Sequence, residues 1–287
     1  MASENGTFTG PDGAEIFYQC WLPGKKIKGA LVIVHGLGEH SGRYMNLVNH
    51  FEPLGFSIYG LDHFGHGRSK GPRLFVPRFD IYTDTLKMFV KKVQEWEPSA
   101  PVFLVGHSMG GLISALYLLN HQDRIKGAVL SGPAVKIPDH INPALCTAAK
   151  LLSRIIPRLG LSGLDAEHLS RDPLVMNAYN NDPLVSHGKI TARLGEQLLA
   201  GISKLDRQAK KIKIPLLIMH GESDLLADTE GSRQFFNAVS SPDKKLVIWP
   251  DRYHEIFNDP GYEAVLSDME TWISERIPQD QGHKAYD

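Results

Sequence analysis

The chain lacks the features that define several broad classes of protein. It has only two cysteines in 287 residues, Cys20 and Cys146, which is too few for a disulfide framework. We expect buried thiols of a reducing compartment, with one bridge between them as the alternative. The formal net charge of −1 offers no basic surface for nucleic acid. No uncharged apolar run reaches the ~18 residues that a membrane-spanning helix needs.

The amino-terminal residues also lack a targeting signal. Residues 1–7 have neither a basic start nor an apolar stretch, so we expect no secretory signal peptide. Together with the low cysteine content, this predicts a cytoplasmic protein. The polar residues 278–287 at the other end are expected to fray. The overall composition, 42% hydrophobic and 22% charged, is ordinary for a globular protein with a large core.

Short apolar runs alternate with helical patterns along most of the chain. This rhythm predicts an α/β fold with a mostly parallel central sheet and helices on both faces. The first run alternates apolar and polar residues and is expected to start an antiparallel edge. Several others are continuously apolar, which is typical of strands covered on both faces. The predicted strands are residues 16–21, 30–35, 56–61, 102–106, 128–131, 216–220 and 246–249.

The rhythm breaks between residues 134 and 203, where no run is typical of a core strand. Two apolar helical faces occur there instead, at residues 145–159 and 190–205. Basic side chains fall on the other side of the first helix, at Lys150, Arg154 and Arg158. We therefore predict a helical cap at 134–203, inserted between a first core part at 1–133 and a second at 204–287.

The most informative motif is Gly-His-Ser-Met-Gly at residues 106–110. It follows an apolar strand and precedes a helix with an apolar stripe. In that context G-x-S-x-G is typical of a nucleophile elbow, a tight turn that strains the serine backbone and exposes its hydroxyl. The flanking glycines remove Cβ atoms that would clash there. Ser108 is therefore the candidate nucleophile, and the Met109 N–H is a candidate oxyanion donor.

A serine nucleophile needs a general base, and the base needs an orienting group. Asp224 and His254 each follow a predicted strand, at the carboxyl ends where ligand crevices form in such sheets. The expected geometry joins Ser108 Oγ to His254 Nε2, and His254 Nδ1–H to Asp224. Asp228 is the alternative partner of the histidine. Two other histidines are predicted to be structural, His220 and His121.

A second oxyanion donor is expected from the loop after residues 30–35. Gly36 and Gly38 let the Leu37 N–H turn towards the same point as that of Met109. An ordinary glycine turn is the alternative. The glycines at 36–42 and 65–71 miss the dinucleotide-binding spacing by one residue, and His63 and His66 lack further ligands at zinc spacing. We predict no metal and no organic cofactor.

Five segments in order along the chain resemble the monoacylglycerol lipases of the α/β-hydrolase superfamily. The resemblance implies an α/β-hydrolase fold with a cap, and hydrolysis of a monoacylglycerol to glycerol and a fatty acid. It also implies a triad of Ser108, Asp224 and His254, with Leu37 and Met109 as oxyanion donors. The segments are HGLGEHSGRY at 35–44, LDHFGHGRS at 61–69, GHSMGG at 106–111, YNNDPL at 179–184 and YH at 253–254.

The same resemblance implies an apolar channel for one acyl chain and a small polar pocket for glycerol. Glu39 and Arg43 match positions that help build this pocket, and His107 and Tyr179 match residues near its alcohol-binding end. A structural ion pair is the alternative for Glu39 and Arg43. Mammalian members carry another histidine three positions after the catalytic one, where this chain has Phe257. The polar pocket is therefore expected to differ.

Other functions share these motifs. A lysophospholipase or general carboxylesterase would use the same scaffold, as would a peptidase, and a non-catalytic binding protein is the alternative of another class. The partner expected is a small lipid ester. The cap helix at 145–159 suggests peripheral membrane contact, the alternative being an apolar face buried against the core. The sequence carries no signal of oligomeric state.

Overall fold

The computed structural model describes residues 2–137, 142–163 and 167–277. The predicted fraying tail at 278–287 lies outside these ranges. The strands are β1 (Ala2–Thr9), β2 (Glu15–Leu22), β3 (Gly29–Val34), β4 (Phe56–Leu61), β5 (Val102–His107), β6 (Gly127–Ser131), β7 (Gly160–Gly163), β8 (Lys189–Thr191), β9 (Leu216–Gly221) and β10 (Lys244–Trp249). The α-helices are α1 (Met45–Phe51), α2 (Asp80–Trp96), α3 (Met109–His121), α4 (Pro143–Ile155), α5 (Pro173–Asn181), α6 (Ala192–Gln208), α7 (Thr229–Ala238) and α8 (Tyr262–Ser274).

Eight of these strands form one sheet in the order β1-β2-β4-β3-β5-β6-β9-β10. The pairs from β4 to β10 are parallel, and β2 is antiparallel to both of its neighbours. All seven strands predicted from the sequence are present, with ends within two residues of the predicted ones. The mostly parallel sheet is therefore confirmed. The carboxyl ends of its parallel strands share one edge, which is where a site is expected.

Apolar residues cover both faces of the sheet, as the continuous runs indicated. Along β3, Val32 belongs to a core shared with α2, α3 and α6, whereas Leu31 and Ile33 belong to a second core shared with α1 and α8. Successive side chains of a strand point to opposite faces, so such a strand needs apolar residues at every position. The apolar stripe predicted on the helix after Ser108 is buried in the first core as part of α3, and Val265 and Met269 of α8 are buried in the second.

The antiparallel edge differs from the prediction. Residues 16–21 do pair in antiparallel fashion within β2, but β1 lies outside β2 and takes the edge position. The sequence of β1, Ala-Ser-Glu-Asn-Gly-Thr-Phe-Thr, is mostly polar, and Phe8 is its one buried side chain among residues 3–9. Backbone hydrogen bonds to β2 hold this strand, so hydrophobic patterning could not find it.

The chain between β6 and β9 forms a helical layer, with α4 packed against α6. A two-stranded antiparallel sheet of β7 and β8 lies in the same segment, separate from the main sheet. The bounds 134 and 203 of the cap stay a prediction. The apolar face expected at 145–159 is only partly buried: Ala149 is buried, whereas Ile155 at the end of α4 is 77% exposed and Ile156 beyond it is 51% exposed. Leu151, outside that face, is 61% exposed.

Both cysteines are free thiols. Cys20 is buried, as expected, but Cys146 is only half-buried because α4 turns it towards a cavity. Within the described ranges, no helix is both long and apolar enough to cross a bilayer.

Candidate active site

The turn between β5 and α3 holds Ser108 in a strained conformation, with φ of 53° and ψ of −120°. A non-glycine residue there costs of order 1–3 kcal/mol, so the surroundings must hold it. The Ser108 N–H donates to the Ser131 carbonyl at 3.0 Å, and its own carbonyl accepts from Gly111 at 2.9 Å. A Cβ at Gly110 would lie 1.8 Å from the Val34 carbonyl oxygen, so only glycine lets α3 begin this close to β3.

A histidine and a carboxylate come together beside this turn. His254 Nδ1 lies 2.6 Å from Asp224 Oδ2, and Oδ1 of the same carboxylate accepts the Leu226 and Ala227 N–H groups at 2.8 and 2.9 Å. The alternative carboxylate, Asp228, is occupied elsewhere, because it pairs with Lys136 and caps α7. The geometry therefore favours Asp224 as the partner of the histidine.

Charge pairing sets the protonation of both groups. Burial alone raises the pKa of Asp224, but the imidazoles of His254 and His220 together outweigh burial and the net shift is downward. Burial lowers the pKa of His254, and the Asp224 carboxylate reverses this to a net increase. Asp224 is therefore ionised at neutral pH, and it stabilises an imidazolium when His254 accepts a proton.

Sequence reasoning missed one contact of this carboxylate. His220, at the end of β9, lies with Nε2 3.0 Å from Asp224 Oδ2 and 3.3 Å from the Ala227 carbonyl, while its Nδ1 faces Ser232 Oγ at 2.7 Å. The Nε2 atom faces two acceptors and therefore carries the proton. No local sequence pattern marked this contact, because His220 lies in β9 and Asp224 lies in the irregular loop that follows it. His121 makes only a ring contact with Tyr117 among the described groups.

The loop after β3 brings Leu37 to the same cavity as Ser108 and Met109. Within the described part of the chain, neither the Leu37 N–H nor the Met109 N–H has a hydrogen-bond partner. The loop after β4 supports the loop after β3, because the His63 N–H donates a hydrogen bond to His35 Nε2 at 2.9 Å. Burial, and then the neighbouring His63, lower the pKa of His35 well below its ordinary value, so its Nε2 is an uncharged acceptor at neutral pH.

Glu39 and Arg43 form a buried ion pair at 3.0 Å. Glu39 Oε1 also accepts the Gly36 N–H at 2.6 Å and the Tyr44 hydroxyl at 2.7 Å. Arg43 donates two further bonds to Glu255, at 2.6 and 2.9 Å. Burial raises the pKa of both carboxyl groups. At Glu255 the Arg43 fork reverses this, and the pKa falls to about 2.

The other residues expected at the alcohol end lie nearby. The His107 ring is 4.6 Å from that of His254, and burial and then this neighbour lower the His107 pKa to about 3. The Tyr179 ring lies over the Arg43 guanidinium at 4.7 Å. Phe257, in place of the mammalian histidine, is buried in the apolar core with α1 and α8, so it contributes nothing polar.

A cavity of about 460 Å³ lies between the residues Leu37, Ser108 and His254 and the helical segment that contains α4 and α6. Ser108 and His254 are among its lining residues. Of the four residues expected to hold glycerol, Tyr179 alone is among the described lining residues. No described lining residue is an Asp or a Glu. Apolar side chains from α4, β7, β8 and α6 form much of the wall, among them Leu145, Ala149, Leu161, Ile190, Leu198 and Ile202. The described residues contain no cluster of His, Cys, Asp or Glu able to hold a metal ion.

A family model described as serine aminopeptidase, S33, matches residues 25–261, a range that contains the whole site. The chain belongs to this family. Among relatives of this S33 chain, a monoacylglycerol lipase of Mycolicibacterium smegmatis is 37% identical over 93% of this chain and 95% of its own length. A phospholipase of Bacillus subtilis is 33% identical over 86% of this chain and 95% of its own length.

Solved structures agree with the sequence relatives of this S33 member. The crystal structure of Paleococcus ferrophilus monoacylglycerol lipase matches with a TM-score of 0.81 and 32% identity, over 96% of this chain and 100% of that one. The α/β-hydrolase fold predicted from the sequence is thus confirmed, and so is the resemblance to monoacylglycerol lipases.

Proposed function

We propose that this chain is a serine carboxylester hydrolase that cleaves monoacylglycerol into glycerol and a free fatty acid. The observation that carries the proposal is the mostly apolar cavity against α4 and α6, whose lining includes Ser108 and His254. Its volume of about 460 Å³ lies within the range of small-molecule sites. Relatives named monoacylglycerol lipases support the choice of substrate.

In the first half of the proposed reaction, Ser108 Oγ attacks the ester carbonyl while His254 Nε2 takes its proton. Asp224 holds the Nδ1 proton of the same ring, which leaves Nε2 free to act as the base. Charge develops on the carbonyl oxygen, and the N–H groups of Leu37 and Met109 bind it. Both N–H groups are free of other partners in the described chain, as oxyanion donors must be.

In the second half, the imidazolium of His254 gives its proton to the leaving glycerol oxygen, and the acyl group remains on Ser108. A water molecule then attacks the acyl-enzyme, with His254 as the base again, and releases the fatty acid. Every proton passes through His254. The raised pKa of this residue, caused by Asp224 against the effect of burial, suits it to hold the proton between the two transfers.

The two ends of the substrate meet different surroundings. We place the acyl chain among the apolar side chains of the cap, where burial of each CH₂ contributes about 0.8 kcal/mol. We place glycerol at the end near Tyr179 and His107. The resemblance also implies glycerol contacts from Glu39 and Arg43. The Glu39 oxygens already accept three hydrogen bonds, which favours an indirect role for this pair.

Two other activities use the same triad. A phospholipase is supported by the Bacillus subtilis relative, and an aminopeptidase by the description of the family. An aminopeptidase must bind an α-ammonium group, for which a carboxylate in the cavity is the natural partner. The described lining contains no carboxylate and includes Lys136, so we favour an uncharged alcohol over an ammonium group.

We further propose that the cap rests on lipid surfaces, from which a monoacylglycerol can enter the cavity. The support is the exposed pair Leu151 and Ile155 on α4, beside the exposed basic residues Lys150 and Arg154. An amphipathic helix of this composition suits an anionic interface. A cytoplasmic location remains our prediction, and the two free thiols support it.

The test is steady-state fatty acid release by the wild type and Ser108→Ala. The substrates are monoacylglycerols, a lysophosphatidylcholine, a nitrophenyl ester and an amino-acid nitroanilide. We expect the highest kcat/KM on monoacylglycerols and a loss of at least about 1,000-fold in the variant, with an unchanged Tm. A higher kcat/KM on lysophosphatidylcholine or on the nitroanilide would mean that the enzyme is a phospholipase or an aminopeptidase instead. If no substrate is turned over in a Ser108-dependent way, a binding protein becomes the better hypothesis.

A further inference from the structure

One buried cation touches two separate parts of the catalytic apparatus. Arg43 Nη1 donates to Glu39 Oε2 at 3.0 Å and to Glu255 Oε1 at 2.6 Å, and Nη2 donates to Glu255 Oε2 at 2.9 Å. The Arg43 side chain is 9% exposed, and those of Glu39 and Glu255 are 5% and 4% exposed. Arg43 therefore sits between two carboxylates that belong to different loops.

The first carboxylate holds the oxyanion loop. Glu39 Oε1 accepts the Gly36 N–H at 2.6 Å, and Gly36 is the residue before Leu37. A Cβ at Gly36 would lie 2.8 Å from this oxygen and 3.3 Å from Ser108 Cβ, so the contact leaves little free space. A movement of Glu39 would therefore shift the Leu37 N–H relative to Ser108.

The second carboxylate belongs to the residue that follows His254. Glu255 is anchored by the Arg43 fork, by the Asn258 side chain at 3.0 Å, and by its own N–H to the Leu169 carbonyl at 2.8 Å. Its position therefore fixes the backbone that carries the general base. A guanidinium is planar and binds a carboxylate through two parallel bonds, so the Arg43 fork fixes direction as well as distance.

We propose that Arg43 is a positioning residue, which holds the Leu37 N–H oxyanion donor at a fixed position relative to the imidazole of His254. This proposal deepens the proposed function and rests on it. It differs from a glycerol contact, because Arg43 is not among the described residues that line the cavity, and because its guanidinium is bonded to Glu39 and Glu255 and covered by the Tyr179 ring. Arg43 then acts on the transition state of any ester, whatever its alcohol.

The test compares Arg43→Met and Arg43→Lys with the wild type on two esters of one fatty acid, a monoacylglycerol and a nitrophenyl ester. The rate at which a fluorophosphonate labels Ser108 is measured as well, since it needs no ester substrate. Arg276→Met is the matched control. It breaks another arginine–carboxylate fork, with Asp243, and leaves Glu39, Glu255 and the loop that carries His254 in place.

We expect Arg43→Met to lower kcat by about 10- to 100-fold on both esters, with KM changed by less than about threefold. The rate of fluorophosphonate labelling should fall by a similar factor. For Arg43→Lys, kcat and the labelling rate should lie between those of the wild type and Arg43→Met, because lysine keeps the positive charge but cannot form the two parallel bonds to Glu255. The control should stay within about twofold of the wild type. A loss confined to the monoacylglycerol, expressed mainly in KM, would overturn the proposal in favour of direct glycerol binding.

Removing the cation leaves two buried carboxylates unpaired, which is strongly destabilising. Should Arg43→Met fail to fold, Arg43→Lys and Glu255→Gln carry the test, each with an expected loss of about threefold or more in kcat and labelling. Wild-type values for both would refute the positioning role. If the wild type hydrolyses neither ester, the proposed function fails, and the labelling rates alone decide the role of Arg43.

Discussion

Replacing Asp224 by asparagine distinguishes the roles of its two carboxylate oxygens. The amide keeps one oxygen as an acceptor and puts an NH₂ donor in place of the other. If the amide oxygen faces the N–H groups of Leu226 and Ala227, its NH₂ group points at the Nδ1 atom of His254. If the amide oxygen faces His254 instead, the buried N–H groups of Leu226 and Ala227 face the NH₂ group and lose their acceptor. The second arrangement leaves two donors unsatisfied, at about 1–3 kcal/mol each.

The first arrangement is the cheaper one, since His254 can move its proton to Nε2 and accept from the amide. That tautomer has no free Nε2 to take the Ser108 proton. We therefore expect Asp224→Asn to lower kcat by about 10³- to 10⁴-fold. The free energy of unfolding should fall by only about 1–3 kcal/mol, because the amide weakens the hydrogen bonds of Oδ2 with His254 and His220, while His220 Nε2 keeps the Ala227 carbonyl as an acceptor.

The assay is nitrophenyl ester hydrolysis at saturating substrate, with thermal unfolding measured on the same samples. Asp228→Asn is the matched control: asparagine caps a helix as well as aspartate does, and the lost partner is Lys136 rather than His254. Its kcat should stay within about threefold of the wild type. Retention of more than about a tenth of the activity in Asp224→Asn, or a larger loss in the control, would refute this account.

Two further outcomes are expected. Because Asp224 raises the pKa of His254 above its ordinary value of ~6.5, kcat/KM should fall as the pH drops through a midpoint above 6.5; a midpoint below 6.5 in the pH profile would contradict this. The double variant Leu151→Asp, Ile155→Asp should reduce co-sedimentation with anionic liposomes several-fold and leave nitrophenyl ester turnover unchanged. The control Met88→Asp on α2 should bind liposomes and turn over the ester like the wild type. Equal liposome binding by all variants would exclude the cap as the membrane contact.

The sheet could be predicted from sequence because its strands are buried on both faces. A continuous apolar run such as residues 102–106 is typical of a buried strand when a tight turn and a helix follow it. The order of Ser108, Asp224 and His254 along the chain then placed the three residues at one edge of the sheet. These inferences needed only local pattern and chain order.

The contacts around the triad could not be predicted in this way. Arg43 and Glu255 are 212 residues apart in sequence, and no local pattern links them. His220 ends a strand like many buried histidines, and only the folded loop shows that it faces Asp224. The partly buried face of α4 depends on which side the neighbouring helix α6 covers, which periodicity alone does not determine.

The polar strand β1 also bears on how this protein behaves in concentrated solution. The edge of a sheet offers unpaired N–H and C=O groups to other chains, and polar, exposed side chains there discourage such pairing. Removing residues 1–10 would make β2 the edge, with Ile16, Phe17, Cys20 and Trp21 no longer shielded by a neighbouring strand. Strand β1 thus covers the edge of β2 with mostly polar residues, four strands away from the β5 end that carries Ser108, and its removal is expected to favour self-association.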